Sequence, residues 1–177
     1  MIKVVLAGPY PWDQDDLYAG GVIHAMANLV SILQAEKNIE LHVLTYTKKT
    51  KKITRKKYGN ISCTYLPNKL SALNYFLGFR ILAAQCRREI ERIKPDLVHA
   101  QGDPASILAA VKTDRPHLVT IHGLYQNETR EFYARTNLKN RISGLLLRAA
   151  ERRYRSQIKN LISTTEEVVN AVKKYSP

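Results

Sequence analysis

The stretch IKVVLAGPYPWDQDDLYAGGVIHAMANLVSIL (residues 2–33) decides the fold. Its first six residues form a short apolar run rich in Ile and Val, the pattern of a buried strand, and Gly8-Pro9 stops it. From residue 21 the spacing changes. Val22, Met26, Leu29 and Leu33 recur at helical intervals, with Ala25 and Val30 widening the stripe, which predicts a helix over 21–35. Gly20-Gly21 stands where that helix begins, although glycine is a poor helix former. Two readings stand: the pair makes a turn, or it lets backbone N–H groups at a helix start approach an anion.

Outward from this unit, strands and helices keep alternating. Strands are expected at 40–46, 61–67, 95–100, 116–122 and 160–164. A helix over 72–94 is expected from Ala72, Phe76, Phe79, Ala83, Cys86, Ile90 and Ile93, which step by three and four. Further helices are expected at 104–112, 138–157 and 165–175, the last with Thr164 and Glu167 as a capping box. The alternation predicts one α/β domain, a Rossmann-like doubly wound parallel sheet with helices on both faces.

A length of 177 residues suits one domain with a core of its own. With 45% hydrophobic and 24% charged residues, the chain is globular rather than collagenous or disordered. Cys63 and Cys86 are too few for a disulfide framework, lack metal spacing and sit in apolar runs, so buried thiols are expected. No run reaches the ~20 apolar residues of a bilayer span, and the first residues are too short for a secretory signal. A cytoplasmic protein is expected, at the inner face of the membrane if its basic segments meet lipid.

The net charge of +13 points toward phosphate in some form, or to a solvated basic surface. The excess is not at the glycine pair, because residues 1–47 hold only Lys3 and Lys37 against five acids. KKTKKITRKK (48–57) carries seven of the cations and reads as a solvated loop, with an anionic-surface contact as the sharper alternative. Arg141, Arg148, Arg152, Arg155 and Lys159 fall on one face of the helix near 141–159. That face is either a solvated surface or a membrane contact, each cation being worth about 1 kcal/mol near anionic lipid.

In doubly wound sheets, ligands sit beyond the carboxyl ends of the strands where strand order reverses. Three loops leave such ends with unusual polarity: GPYPWDQDDLYAGG (8–21), HAQGD (99–103) and HGLYQNE (122–128). His122 ends a strand against Gly123 and is the histidine best placed to meet a ligand. A dinucleotide site is excluded, since there is no G-x-G-x-x-G and no acid at the end of the second strand. Nucleic acid is not an expected partner, because no recognition motif is present and the basic blocks lack interleaved aromatics.

GPYPW…AGG, KPDLVHAQG, VTIHG and the tail LRAAERRYRSQIKNLISTTEEVVNAVKKY, in that order, resemble the N-terminal domain of a GT-B glycosyltransferase of family 4, the glycogen-synthase-like group. The resemblance implies transfer of a sugar from a nucleotide-sugar donor to a sugar or lipid-linked acceptor, with retention of configuration and without metal or other cofactor. It places Gly20 and Gly21 against the donor diphosphate and His122 near the reacting carbon. It assigns Tyr10, Trp12, Asp13 and Gln14 to the acceptor side. Gln101, Asp103 and Tyr125 are further acceptor-contact candidates, and His99, at the end of a buried strand, is either a core histidine or another such contact. Many relatives have a second histidine where this chain has Gln101. In that family a C-terminal domain holds most of the donor, so these residues are expected to be half an enzyme that does not turn over alone. The competing reading is a non-enzymatic α/β module that binds an anionic surface or a small phosphorylated ligand.

Overall fold

Each apolar run expected to be a strand joins a single sheet. The computed structural model describes residues 1–13, 20–69, 71–123, 138–163 and 165–174. Strand β1 (Ile2–Ala7) leads into helix α1 (Gly21–Leu33), followed by β2 (Ile39–Thr47), β3 (Thr54–Tyr58) and β4 (Ile61–Pro67). Then come α2 (Ser71–Phe76), α3 (Arg80–Ile93), β5 (Leu97–Gln101), α4 (Pro104–Ala110) and β6 (His117–Ile121). Helix α5 (Leu138–Arg155), β7 (Leu161–Ser163) and α6 (Glu166–Lys173) complete the order.

The strands lie in the order β3-β4-β2-β1-β5-β6-β7, a Rossmann-like sheet. All neighbours pair in parallel except β3 with β4. Because side chains alternate along a strand, β1 feeds two cores. Val4 and Leu6 pack with Met26 and Val30 of α1 and with Leu41, Val43 and Cys63. Val5 and Ala7 pack on the other face with Cys86 and Ile90 of α3, Tyr154 of α5 and Val168 of α6. Cys63 and Cys86 are free, buried thiols in separate cores, as their apolar surroundings suggested.

Strand β1 has β2 on one side and β5 on the other. The chain winds outward through β2 and β4, then crosses to β5. The order therefore reverses between β1 and β5, and the loops after β1, β5 and β6 leave the same edge. This is the position that open α/β sheets use for ligands.

Four expectations are corrected. The helix over 72–94 is two helices, because Gly78 and Phe79 both adopt left-handed backbone (φ 57° and 63°). The break puts Phe79 in a third cluster with Leu82, Ala105, Leu147 and Ala150. Part of the basic block is no loop: Thr54–Tyr58 is an antiparallel edge strand, with Thr54 and Lys56 half-buried. The last helix is capped by Thr165, whose hydroxyl accepts from Val168 N, while Thr164 lies outside the described residues. Arg155 does not belong to a basic surface. It is 1% exposed and sits 2.8 Å from Glu151, equally buried one turn earlier. Its neighbours Tyr154 and Ile158 are core residues, so the carboxylate neutralises a cation that the packing removes from water. Arg141, Arg152 and Lys159 are exposed and Arg148 half-buried.

Candidate functional site

Glycines set the close approaches at the switch point. A Cβ on Gly8, just past β1, would stand 2.8 Å from Gln101 O and 2.9 Å from Gln101 Cβ, so the ends of β1 and β5 meet there because Gly8 has no side chain. Gly102, just past β5, has φ 66°, and a Cβ on it would lie 2.8 Å from Val22 Cγ1 and 3.2 Å from His122 Cδ2. The first turn of α1 and the histidine after β6 thus converge over one glycine.

Gly20 is the residue preceding α1, with φ 144°, a conformation that side chains rarely adopt. Among the described residues, nothing lies within 4 Å of a Cβ built on Gly20 or Gly21. Among the described residues no side chain caps this terminus, and no acid occupies the first turn. The glycine pair thus starts a helix with no described side chain over it, where the N–H groups of the first turn and the helix dipole favour an anion.

The histidines form a chain of hydrogen bonds with Gln101. His122 Nε2 lies 2.9 Å from Gln101 Oε1, Gln101 Nε2 lies 3.4 Å from His99 Nε2, and His99 Nε2 lies 2.7 Å from Thr120 Oγ1. An amide oxygen only accepts, so His122 donates from Nε2. The amide nitrogen and the Thr120 hydroxyl then donate to His99 Nε2. An accepting Nε2 makes the His99 imidazole neutral in this arrangement. Burial, reinforced by His122, pushes His99 down to about 4. Burial also lowers His122. At neutral pH His122 is a neutral polar contact at the edge, not a cation.

The loop after β1 is held from the β2–β4 side. Tyr10 N donates to Thr45 Oγ1 at 3.1 Å, and Tyr65 OH donates to Pro11 O at 2.9 Å. Trp12 meets Tyr65 edge-on at 4.8 Å between centroids, and Lys56 Nζ lies 3.5 Å from the Trp12 ring centre. Asp13 pairs with Lys49 at 2.8 Å. Burial pushes the Tyr10 phenol up to about 12, so it is un-ionised at neutral pH.

Asp103, expected among the acceptor contacts, is only 4% exposed. It caps α4, accepting from Ala105 N and Ser106 N at 2.9 and 3.0 Å, and it also accepts from Tyr46 OH at 3.0 Å. Its role in the structure is to start a helix. Gln14 and Tyr125 lie outside the described residues. Sequence reasoning missed Gly102, Thr120, Tyr65, Lys49 and Lys56. Only Gly102 carried a readable signal, as a glycine directly after a buried strand.

Residues 19–177 match the model of Glycosyltransferase Family 4. The chain belongs to that family. No curated protein matches it. Solved structures with a similar fold include α,α-trehalose 6-phosphate synthase from Burkholderia multivorans (12% identity, TM-score 0.56, covering 99% of this chain and 43% of that one). The E. coli trehalose-6-phosphate structure bound with UDP-2-fluoro glucose is similar (10%, TM-score 0.55, 97% and 42%). So is UDP-GlcNAc 2-epimerase from Methanocaldococcus jannaschii (17%, TM-score 0.51, 98% and 42%). At these identities the likeness shows the fold alone, and this family 4 domain spans about two fifths of the length of those chains. The expected architecture, a Rossmann-like domain of the GT-B kind, is the one found. Among the described residues, no helix is long and apolar enough to cross a membrane, and no group of three His, Cys, Asp or Glu is placed to hold a metal ion.

Proposed function

We propose that this family 4 domain is the acceptor-side half of a retaining glycosyltransferase that uses a nucleotide-sugar donor. The observation that carries the reading is the convergence at Gly102 of the first turn of α1 and the His122 ring. In this reading the amides at Gly20 and Gly21 face the donor diphosphate, where charge builds as the sugar leaves. His122, neutral and donating from Nε2 to Gln101, offers Nδ1 as an acceptor near the reacting carbon. Tyr10, Trp12 and Asp13 form the wall that the acceptor meets, stiffened by Lys49, Lys56 and Tyr65. A second domain supplies the rest of the donor site, so transfer requires that domain.

The test is transfer from a panel of nucleotide sugars by the full reading frame, with Gly21→Asp and His122→Ala beside the parent. Position 21 has room for a side chain, and an acid in the first turn suits a helix dipole, so the fold tolerates Gly21→Asp. The new carboxylate repels a diphosphate. Both variants should lose transfer by about a hundredfold or more, and the product should keep the donor's anomeric configuration by NMR. Parental rates in Gly21→Asp, or inverted product, would overturn the reading.

A further inference from the structure

Helices α3 and α4 enclose a second feature, with no residue in common with the site above. A cavity of about 350 Å³ opens between them. Its floor is Ala83 and Leu108, both buried. Around it stand Arg80, Arg87 and Arg88 of α3 and Lys112 just beyond α4. Among the described residues, no carboxylate lines it.

Positions 80, 84, 87 and 88 fall on one face of α3, and the alanine among them leaves room between the arginines. Arg87 is steadied by Glu91, one turn on, at 2.9 Å. Four cations around one concavity repel one another, and a ligand carrying several negative charges converts that repulsion into attraction. The apolar floor keeps water from one side of the ligand, which strengthens each charge contact. Guanidinium groups suit phosphate because they offer paired donors in a fixed plane. The volume fits a small molecule or one of its phosphate-bearing ends. A concave groove of this size favours a soluble ligand over the flat face of a bilayer.

We propose that the α3–α4 groove binds a soluble, phosphorylated small molecule bearing two or more phosphate charges. This is independent of the transferase reading and needs no second domain.

The test is calorimetric titration of the 177-residue chain with tripolyphosphate at low and at moderate salt. Two triple variants remove equal charge from exposed positions: Arg80→Gln, Arg88→Gln, Lys112→Gln in the groove, and Lys48→Gln, Lys51→Gln, Lys52→Gln in the basic block. The expected result is one bound anion per chain. The groove variant should bind roughly tenfold more weakly or worse, and the control within about twofold of the parent, because its cations contribute only through screened, long-range attraction. No binding by the parent overturns the proposal, as does equal weakening by both variants. A parallel arm uses vesicles containing phosphatidic acid. Groove-dependent binding to vesicles without binding of tripolyphosphate would also overturn it, because the ligand would then be a lipid headgroup.

Discussion

His122 Nε2 and Gln101 Oε1 stand 2.9 Å apart, so a neutral amide holds one nitrogen of the strand-end histidine. Gln101→Glu keeps the shape and places a carboxylate against the ring, which favours the imidazolium. The His122 pKa should rise, by about one to three units, and proton NMR of the imidazole C–H resonances will read it. An unchanged titration in Gln101→Glu would show that the two side chains do not touch in solution.

A pH dependence follows from His99. Its folded pKa is held at about 4, against an ordinary 6.5. Between those values the unfolded chain binds a proton that the folded chain refuses, so this residue's contribution to stability falls as pH drops from 6.5 toward 4 and is flat below. His99→Gln removes the term. The stability difference between parent and variant should therefore shrink by roughly 3 kcal/mol between pH 7 and pH 4. Chemical denaturation across that range measures it, and carboxylates shared by both chains cancel. A pH-independent difference would mean that His99 protonates normally in the fold.

Gly102→Ala tests the junction. The added methyl must adopt a left-handed backbone and meets Val22 Cγ1 at 2.8 Å. A loss of roughly 1–3 kcal/mol is expected. Val22→Ala in the same chain should recover the overlap part and leave the backbone part. If Val22→Ala gives no recovery, α1 does not rest on Gly102.

Glu151 and Arg155 are both about 1% exposed. Glu151→Leu takes the carboxylate at 2.8 Å away from a buried guanidinium and should cost about 3–5 kcal/mol. Adding Arg155→Met should restore most of that stability, because two apolar side chains need no pairing. Thermal melts of the three chains decide it. A cost under ~1 kcal/mol for Glu151→Leu alone would mean that water reaches Arg155.

The parallel core of the sheet was legible because buried strands and amphipathic helices differ in period, as residues 2–33 show. The break between α2 and α3 was not, because Phe76, Phe79 and Ala83 keep stepping by three and four straight through it. Gly78 was the available sign: its φ of 57° favours glycine, and a Cβ there would also lie 2.8 Å from Arg153 Nη1. Strand β3 was hidden by its charge. The pointer lay just after it, in Gly59-Asn60, a two-residue turn between the paired Tyr58 and Ile61. Arg155 was misread because helical spacing gives the direction of a side chain but not what packs over it. At the site, His122 and the glycine pair were readable as strand-end and helix-start features. The contacts of Gln101, Thr120 and Lys56 depend on strand register and on a hairpin return, which no local pattern encodes.

Strand β3 has one further consequence. An edge strand offers unpaired amides and carbonyls to any passing chain, and a sheet with two open edges invites stacking into larger sheets. Here the outer strand at one end carries Arg55, Lys56 and Lys57 in succession. Arg55 pairs with Glu89 and Lys56 lies over Trp12, so it is chiefly the exposed Lys57 that a second copy brought alongside would meet, cation against cation. At the far end β7 is only three residues long, too short to template another strand. The sheet is closed to growth by charge on one side and by brevity on the other, which favours a soluble domain during folding, when both edges are most exposed.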